Sequence, residues 1–479
     1  MRVSVPYPQP ATVERLRAVV VTALMTAFAF LAAQRVLVDG KLAAAAVGAV
    51  VLAVVVIQRP RFTVLVMLVL SAPLFQLMRR TVDFAGLRTD AFEVLAYALV
   101  ARWLISRGNE RRMPSWQFAA PVLLLVAGAT VGAVFALTVG ASRYLVLGQY
   151  KAYLVYLLIL PLSALFGTLD EKRRLEMWVV NFCVAASLVV LGAAAIGSST
   201  PTEDPNLPLN TFGVATQVNR IRPSMLWLLF LATLIVVGRA VTYGMSRRMA
   251  LQLSLFVAVW LFTFNRSSWV ALLVCTGLLA LFHPGPRRPT RALRTLAVAA
   301  LVLPLTMIVA DRGLLGPTLS EVPRRVESLF RPEVAQEDSL RDRAEEYPVA
   351  FRALADSPVL GVGLGRPYGA RRPFYSPRLG VIVYEERPFA HNSLLFAYLQ
   401  TGLLGVAGLV WLAIAARRAA ARALRDCPVD IALRIFVGSV ALLGYAIQSL
   451  TQTSLLHRPS ITAAVVAMVL ATWPRELDA

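Results

Sequence analysis

One histidine and a set of arginines are the residues in this chain best suited to chemistry. His391 lies in Phe389-Ala390-His391-Asn392-Ser393-Leu394-Leu395, where a polar segment gives way to an apolar one. A neutral imidazole takes up a proton near pH 7, which suits a general base. The plainer alternative is an interfacial histidine satisfied by backbone. Arg79, Arg80, Arg88, Arg143, Arg220, Arg222 and Arg266 lie in or beside short loops between apolar runs. Singly, each reads as a long stem carrying its guanidinium to the headgroups. As a set they suit a phosphate or diphosphate, gripped by bidentate charge-assisted hydrogen bonds.

Arg266 is the sharpest of these. In Phe264-Asn265-Arg266-Ser267-Ser268 it interrupts an apolar stretch from 249 to 282, where a charge is costly and marks a functional site by default. Arg143 opens an apolar segment with Tyr144, Tyr150 and Lys151 behind it, and Arg220 and Arg222 close a polar loop that contains Asn210-Thr211-Phe212-Gly213. Of the other histidines, His283 sits in a Pro/Gly/Arg turn and reads as structural. His457, beside Arg458, is the fallback base, together with Glu385 and Glu386.

The elements that must hold these groups are membrane helices. The 479 residues are 58% hydrophobic and 16% charged, with mean hydropathy +0.66. A soluble domain has about 45–50% apolar and about 25% charged residues, so an ordinary soluble enzyme is excluded. Apolar runs fall at 18–33, 42–57, 62–77, 90–105, 117–138, 147–166, 175–197, 223–238, 249–264, 267–282, 293–310, 392–416, 431–450 and 459–473. At about 20 residues per span they predict an all-α, polytopic protein of about 14 transmembrane segments, 1–11 within residues 1–310 and 12–14 within 391–479. The first run follows Arg15 and Arg17 like a signal peptide, but the second run behind it favours an uncleaved span.

The net charge of +21 does not point to nucleic acid, because the basic residues mostly lie between apolar runs. Arg59/Arg61, Arg107/Arg111/Arg112, Lys172/Arg173/Arg174, Arg247/Arg248, Arg287/Arg288/Arg291/Arg294 and Arg417/Arg418/Arg422/Arg425 occur at every second turn of the chain. The positive-inside rule makes these loops cytoplasmic, with both termini inside. The intervening loops then face outward, including a long one over residues 311–390. Leu340, Ala344, Tyr347, Phe351 and Leu354 recur there at helical spacing, with Ser339 as a cap, Pro348 as a kink or restart and Ser357-Pro358 as the end. A small external helical domain is expected. Gly361-Val362-Gly363-Leu364-Gly365 follows as a permissive turn, not a dinucleotide fingerprint, because Arg366 stands where that motif needs glycine. The three cysteines suggest neither a disulfide nor a metal site, and no cofactor or metal is expected.

Three segments, in order, resemble the O-antigen ligase and polymerase family of bacterial envelope glycosyltransferases. They are Asn265-Arg266-Ser267-Ser268 before an apolar helix; Arg343 to Gly365 with Tyr347, Ala350, Pro358, Gly361 and Gly363; and His391-Asn392-Ser393 followed by Gly402-Leu403-Leu404-Gly405. Together they cover about residues 263–416, whereas the first 200 residues match only in hydropathy. The resemblance implies a GT-C-like, inverting, metal-independent glycosyltransferase at the outer face of the inner membrane. Its donor is a glycan on undecaprenyl diphosphate and its acceptor a glycan or lipid A core. Carried over by position, Arg266 and Arg343 become diphosphate or glycan contacts, joined by Arg143 and Arg222, and His391 becomes the base. About fourteen spans exceed the roughly twelve common in ligases, which sets the N-terminal part apart from the family pattern.

The single long external loop favours a ligase over the alternatives, an O-antigen or exopolysaccharide polymerase and a protein glycosyltransferase. From another class, a lipid-linked oligosaccharide flippase also has about this many spans. Transporters tend to show internal repeats and short loops, whereas no convincing repeat relates the two halves here and the external domain is lopsided.

Overall fold

A computed structural model describes residues 55–56, 58–70, 82–84, 87–89, 91–106, 116–195, 225–263, 265–285, 338–369, 372–376, 381–385, 390–450 and 458–475. The apolar runs at 18–33 and 293–310 and most of 42–57 lie outside these residues, as do Arg79, Arg80, Arg220, Arg222, Glu386 and His457. Compact packing divides the chain at Val64. The described part of the first unit is the residues leading into helix α1 (Pro60–Leu70) and its first turn, where Thr63 Oγ1 donates to Arg59 O at 3.3 Å.

The second unit is mainly helical. It contains α2 (Ala91–Ile105), α3 (Trp116–Thr138), α4 (Arg143–Val155), and α5 (Ile159–Leu165), joined to α4 by one 3₁₀ turn. Then come α6 (Leu169–Ala195), α7 (Leu226–Tyr243), α8 (Arg247–Thr263) and α9 (Arg266–Phe282). After α10 (Asp338–Asp356) follow α11 (Ser393–Asp426), α12 (Val429–Ser449) and α13 (Arg458–Ala471). Among the described residues six helices are long and apolar enough to cross a membrane, and α1, α9 and α13 carry shorter apolar stretches. The chain is a polytopic helical membrane protein, as its hydropathy predicts.

Two antiparallel hairpins add to the helical expectation. Val82–Phe84 pairs with Leu87–Thr89, placing Arg88 opposite Asp83, and Arg372–Ser376 pairs with Val381–Glu385. The second hairpin shows that the 311–390 segment is not purely helical. The run Val381-Ile382-Val383-Tyr384, all β-branched or aromatic, suits a strand.

Polar contacts sort the helix ends into two groups. At one end, Glu176 on α6 binds Arg239 of α7 and, at 3.1 Å, Arg434 of α12. Arg434 and Arg173 both reach Asp430, at 2.8 and 2.6 Å, and Lys172 reaches Thr472 Oγ1 at 2.9 Å. Arg475 donates to the last carbonyls of α5, Ala164 O at 3.0 Å among them, and Arg422 of α11 lies over the Trp473 ring at 4.2 Å. Lys172, Glu176 and Arg434 are buried, and buried charges persist only when paired; with their partners these contacts tie α5, α6, α7, α11, α12 and α13 together. The opposite end carries the start of α4, the end of α3, the start of α11 and, through Ser268 Oγ donating to Gln448 Oε1 at 2.9 Å, the start of α9 and the end of α12.

Helix α11 runs from the second end to the first. From the break at Gly402 to Asp426 it runs roughly 36 Å at about 1.5 Å per residue, more than the about 30 Å of a bilayer core. Arg417, Arg418, Arg422 and Arg425 therefore stand on a helix and not in a loop as the charge run predicts. Ala415, Ala416, Ala419 and Ala423 recur on its buried side and keep that extension packed. Against α3 the packing is backbone to backbone: a Cβ on Gly128 would lie 2.6 Å from Gly405 N, and one on Gly408 2.7 Å from Leu125 N. Small residues at such crossings supply the close van der Waals contact that holds membrane helices together.

Candidate active site

The site grows from an acidic residue in a core position. On α10, Glu346, Ala350 and Leu354 recur every fourth residue and all three are buried, whereas Phe351 is 61% exposed. Leu354 and Tyr347 of the predicted stripe do pack inward, but Phe351 does not, and Glu346 and Ala350 take the inward positions beside them. It begins at Asp338, so Ser339 lies inside its first turn, and it continues through Pro348. Ala350 and Leu354 pack with Ala390, Leu395, Phe396 and Leu399, flanked by Tyr347, Val362, Tyr368 and Tyr398. This small core clamps α10 onto the first two turns of α11.

At the edge of that core Glu346 meets His391. Its Oε2 accepts the His391 backbone N–H at 3.1 Å and lies 3.1 Å from the ring Nδ1, while Oε1 accepts the Tyr368 hydroxyl at 2.6 Å. The carboxylate side chain is 4% exposed and the imidazole 33%. Burial by itself pushes the Glu346 carboxyl up. Hydrogen bonds from the His391 ring, the Tyr368 hydroxyl and the His391 backbone, with the charge of His391, outweigh it and leave the group below its ordinary value. Glu346 is therefore ionised near neutral pH and only accepts. Nδ1 then carries the hydrogen it shares, and in the neutral ring Nε2 carries the lone pair.

Asn392 caps α11 by accepting the N–H groups of Leu394 and Leu395 at 3.0 and 3.1 Å, so the residue after His391 starts the helix. Downstream, α11 breaks at Gly402, whose φ of 62° and ψ of −160° are not helical. The break lets Leu403 N–H reach Val359 O at 3.0 Å. Leu399 O accepts from both Val362 and Gly363, at 2.6 and 3.0 Å. A Cβ on Gly361 would strike the carbonyls of Tyr398 and Leu399, and its φ is 70°. Gly365 N–H donates to Gln149 Oε1, which also accepts from Gln400 Nε2 at 2.6 Å, and Tyr153 donates to Gln400 Oε1 at 2.7 Å. The glycine turn is thus seated against α3, α4 and the broken segment of α11, with acceptors found for its backbone N–H groups.

The residues singled out from sequence fare differently. His391 sits at this junction, and Arg143 is exposed as the first residue of α4, three positions before Val146, whose N lies against Gly365. Arg266 is the first residue of α9, after Asn265, which accepts from Ser268 N–H at 3.4 Å. That start belongs to the same end of the bundle. Arg343 lies on α10, one turn before Glu346, and Arg222 lies outside the described residues. His283 ends α9 with Nδ1 3.1 Å from Ala280 O, a structural role as its turn predicts. Glu346 and Tyr368 escaped the sequence reading. The available signal was the four-residue spacing of Glu346, Ala350 and Leu354, which places an acid on a buried face. Among the described residues no three of His, Cys, Asp and Glu gather as a metal site.

A multi-span helical membrane protein with a histidine–carboxylate pair at one end of its bundle is the class these features define. Residues 249–410 match the family model described as O-antigen ligase. The match takes in α8 to the middle of α11, and with them Arg266, Arg343, Glu346 and His391. No curated protein matches the chain.

Proposed function

We propose that the chain is an O-antigen ligase-type glycosyltransferase that moves a glycan from undecaprenyl diphosphate to a hydroxyl of lipid A core at the outer face of the bacterial inner membrane. The observation that carries this reading is the His391 ring, held on a buried carboxylate within the family-matched segment. The acceptor O–H gives its proton to Nε2 of His391, and the oxygen forms a bond to the anomeric carbon. The bond from that carbon to the diphosphate oxygen breaks, its electron pair leaving with the lipid diphosphate. Direct displacement inverts the anomeric centre.

Arg266, Arg143, Arg343 and Arg222 would bind the donor diphosphate and stabilise the charge that builds on it. Two of them open helices at the end where His391 lies, which supports a common site. The basic loops and both termini are cytoplasmic in this reading, and the 311–390 segment is external. The test is release of lipid diphosphate from an undecaprenyl-diphosphate-linked glycan, with lipid A core present, by the purified full chain in nanodiscs. Wild type releases it and transfers the glycan, and His391→Ala loses about 10²–10⁴-fold in rate while keeping donor binding. Transfer only onto a second lipid-linked glycan would assign a polymerase instead. Relocation of the donor without release would assign a flippase, and near-normal turnover by His391→Ala would remove the base.

A further inference from the structure

We propose that Glu346 is the positioning residue of this site, its carboxylate holding the His391 ring with Nδ1–H toward α10 so that Nε2 is the nitrogen that takes the acceptor's proton. The inference rests on reading His391 as the base. Two geometric facts carry it. One carboxylate oxygen, Oε2, binds both the backbone N–H and the ring nitrogen of the same residue, each at 3.1 Å, which fixes the ring against its own main chain. The acid also occupies a core position, in line with Ala350 and Leu354, where an apolar side chain would serve packing better. A charge is retained there only because three donors meet it.

The consequence for the reaction is electrostatic. When Nε2 accepts the proton, the ring becomes a cation beside a fixed carboxylate and needs no reorganisation to be stabilised. The Tyr368 hydroxyl holds the other carboxylate oxygen, at 2.6 Å, and keeps the carboxylate from taking the proton itself. Within two turns of Glu346, α10 also carries Arg341, Asp342, Arg343, Glu345, Tyr347 and Arg352; Arg366 follows the helix and Tyr398 lies on α11. Tyr398 donates to Pro358 O at 2.7 Å and Arg366 to Val362 O at 3.3 Å, both directed at backbone.

The experiment measures turnover and donor KM against pH for wild type, Glu346→Gln, Tyr368→Phe, His391→Ala and the Glu346→Gln/His391→Ala double variant. The substrates are an undecaprenyl-diphosphate-linked glycan and lipid A core, with the full chain in nanodiscs. Glu346→Gln should lose roughly 10- to 100-fold in kcat, part of what base assistance supplies, with donor KM within about twofold. Its acid limb should move to lower pH, because the charge that favours the imidazolium is gone. Tyr368→Phe should move that limb the other way, since a less shared carboxylate attracts the imidazolium more strongly. In the His391→Ala background Glu346→Gln should add less than about twofold, as groups acting as a unit do.

An unmoved acid limb in Glu346→Gln, or a loss that persists in full without His391, would overturn the proposal in favour of a purely structural carboxylate. If Glu346→Gln fails to fold, an unmoved limb in Tyr368→Phe decides against it equally. Near-normal turnover by His391→Ala strikes the base assignment itself and is separate from both.

Discussion

Glu346 and His391 are 45 positions apart in sequence, yet one carboxylate oxygen of the first accepts from the backbone of the second and lies at hydrogen-bonding distance from its ring. Neither contact is available until α10 folds back on the start of α11. The pair therefore forms only when α10 is packed against the start of α11.

That pairing has a pH dependence with a definite sign. The Glu346 carboxyl lies below its ordinary value of 4.5, so its contribution to the α10–α11 junction is fully present above that value. It is lost as pH falls through the lower, folded-state value. Limited proteolysis of residues 338–369 should therefore accelerate below about pH 4.5 in wild type. Glu346→Gln should show a flatter dependence, and an identical acid response in both proteins would contradict this account.

Arg266→Ala should remain folded but bind the lipid-linked donor roughly ten- to a hundredfold more weakly, the equivalent of about 1.5–3 kcal/mol for a charge-assisted contact. Arg266→Lys should recover only part, because an ammonium lacks the bidentate fork. Arg143→Ala should show a loss of the same kind, from its exposed place on the first turn of α4. Donor affinity at the wild-type level in folded Arg266→Ala protein would reduce that arginine to a headgroup contact.

Gly402→Ala should cost the fold more than any surface change. Its φ of 62° disfavours an L side chain by roughly 1–2 kcal/mol, and the added Cβ would strike Val359 O and Leu360. A lower melting temperature and a lower yield of monodisperse protein are expected, with Gly277→Ala, which has open space around it, as the harmless control. A stable Gly402→Ala protein would mean that the helix break relaxes.

The sidedness of the bundle is open to direct labelling. In a background with Cys427 replaced by serine, a cysteine at Ser376 should react with an impermeant maleimide added from outside. One at Ala420 should not react. The reverse pattern would invert the topology and move the site to the cytoplasm.

Much of this was legible in the order of residues. Hydropathy is a local sum, so the runs at 117–138, 175–197 and 431–450 each reappear as helices with ends within a few residues. The polar interruption at Asn265-Arg266-Ser267-Ser268 likewise reappears as the start of α9, because an asparagine before a helix satisfies its own cap. The positive φ of Gly361, Gly363 and Gly365 followed from the absence of a side chain in that turn. The face of α10 followed only in part: Tyr347 and Leu354 pack inward as their spacing predicts, but Phe351 is exposed and the acid at 346 takes a core position that no pattern of hydrophobicity assigns. Only the tertiary structure decides that Glu346 turns inward, because its partners, the Tyr368 hydroxyl and the His391 ring and backbone, arrive from 22 and 45 residues away. The break at Gly402 is decided in the same way. A helix gives up its ladder there only when the carbonyl of Val359 is present to take the freed N–H of Leu403, and that exchange exists in three dimensions alone.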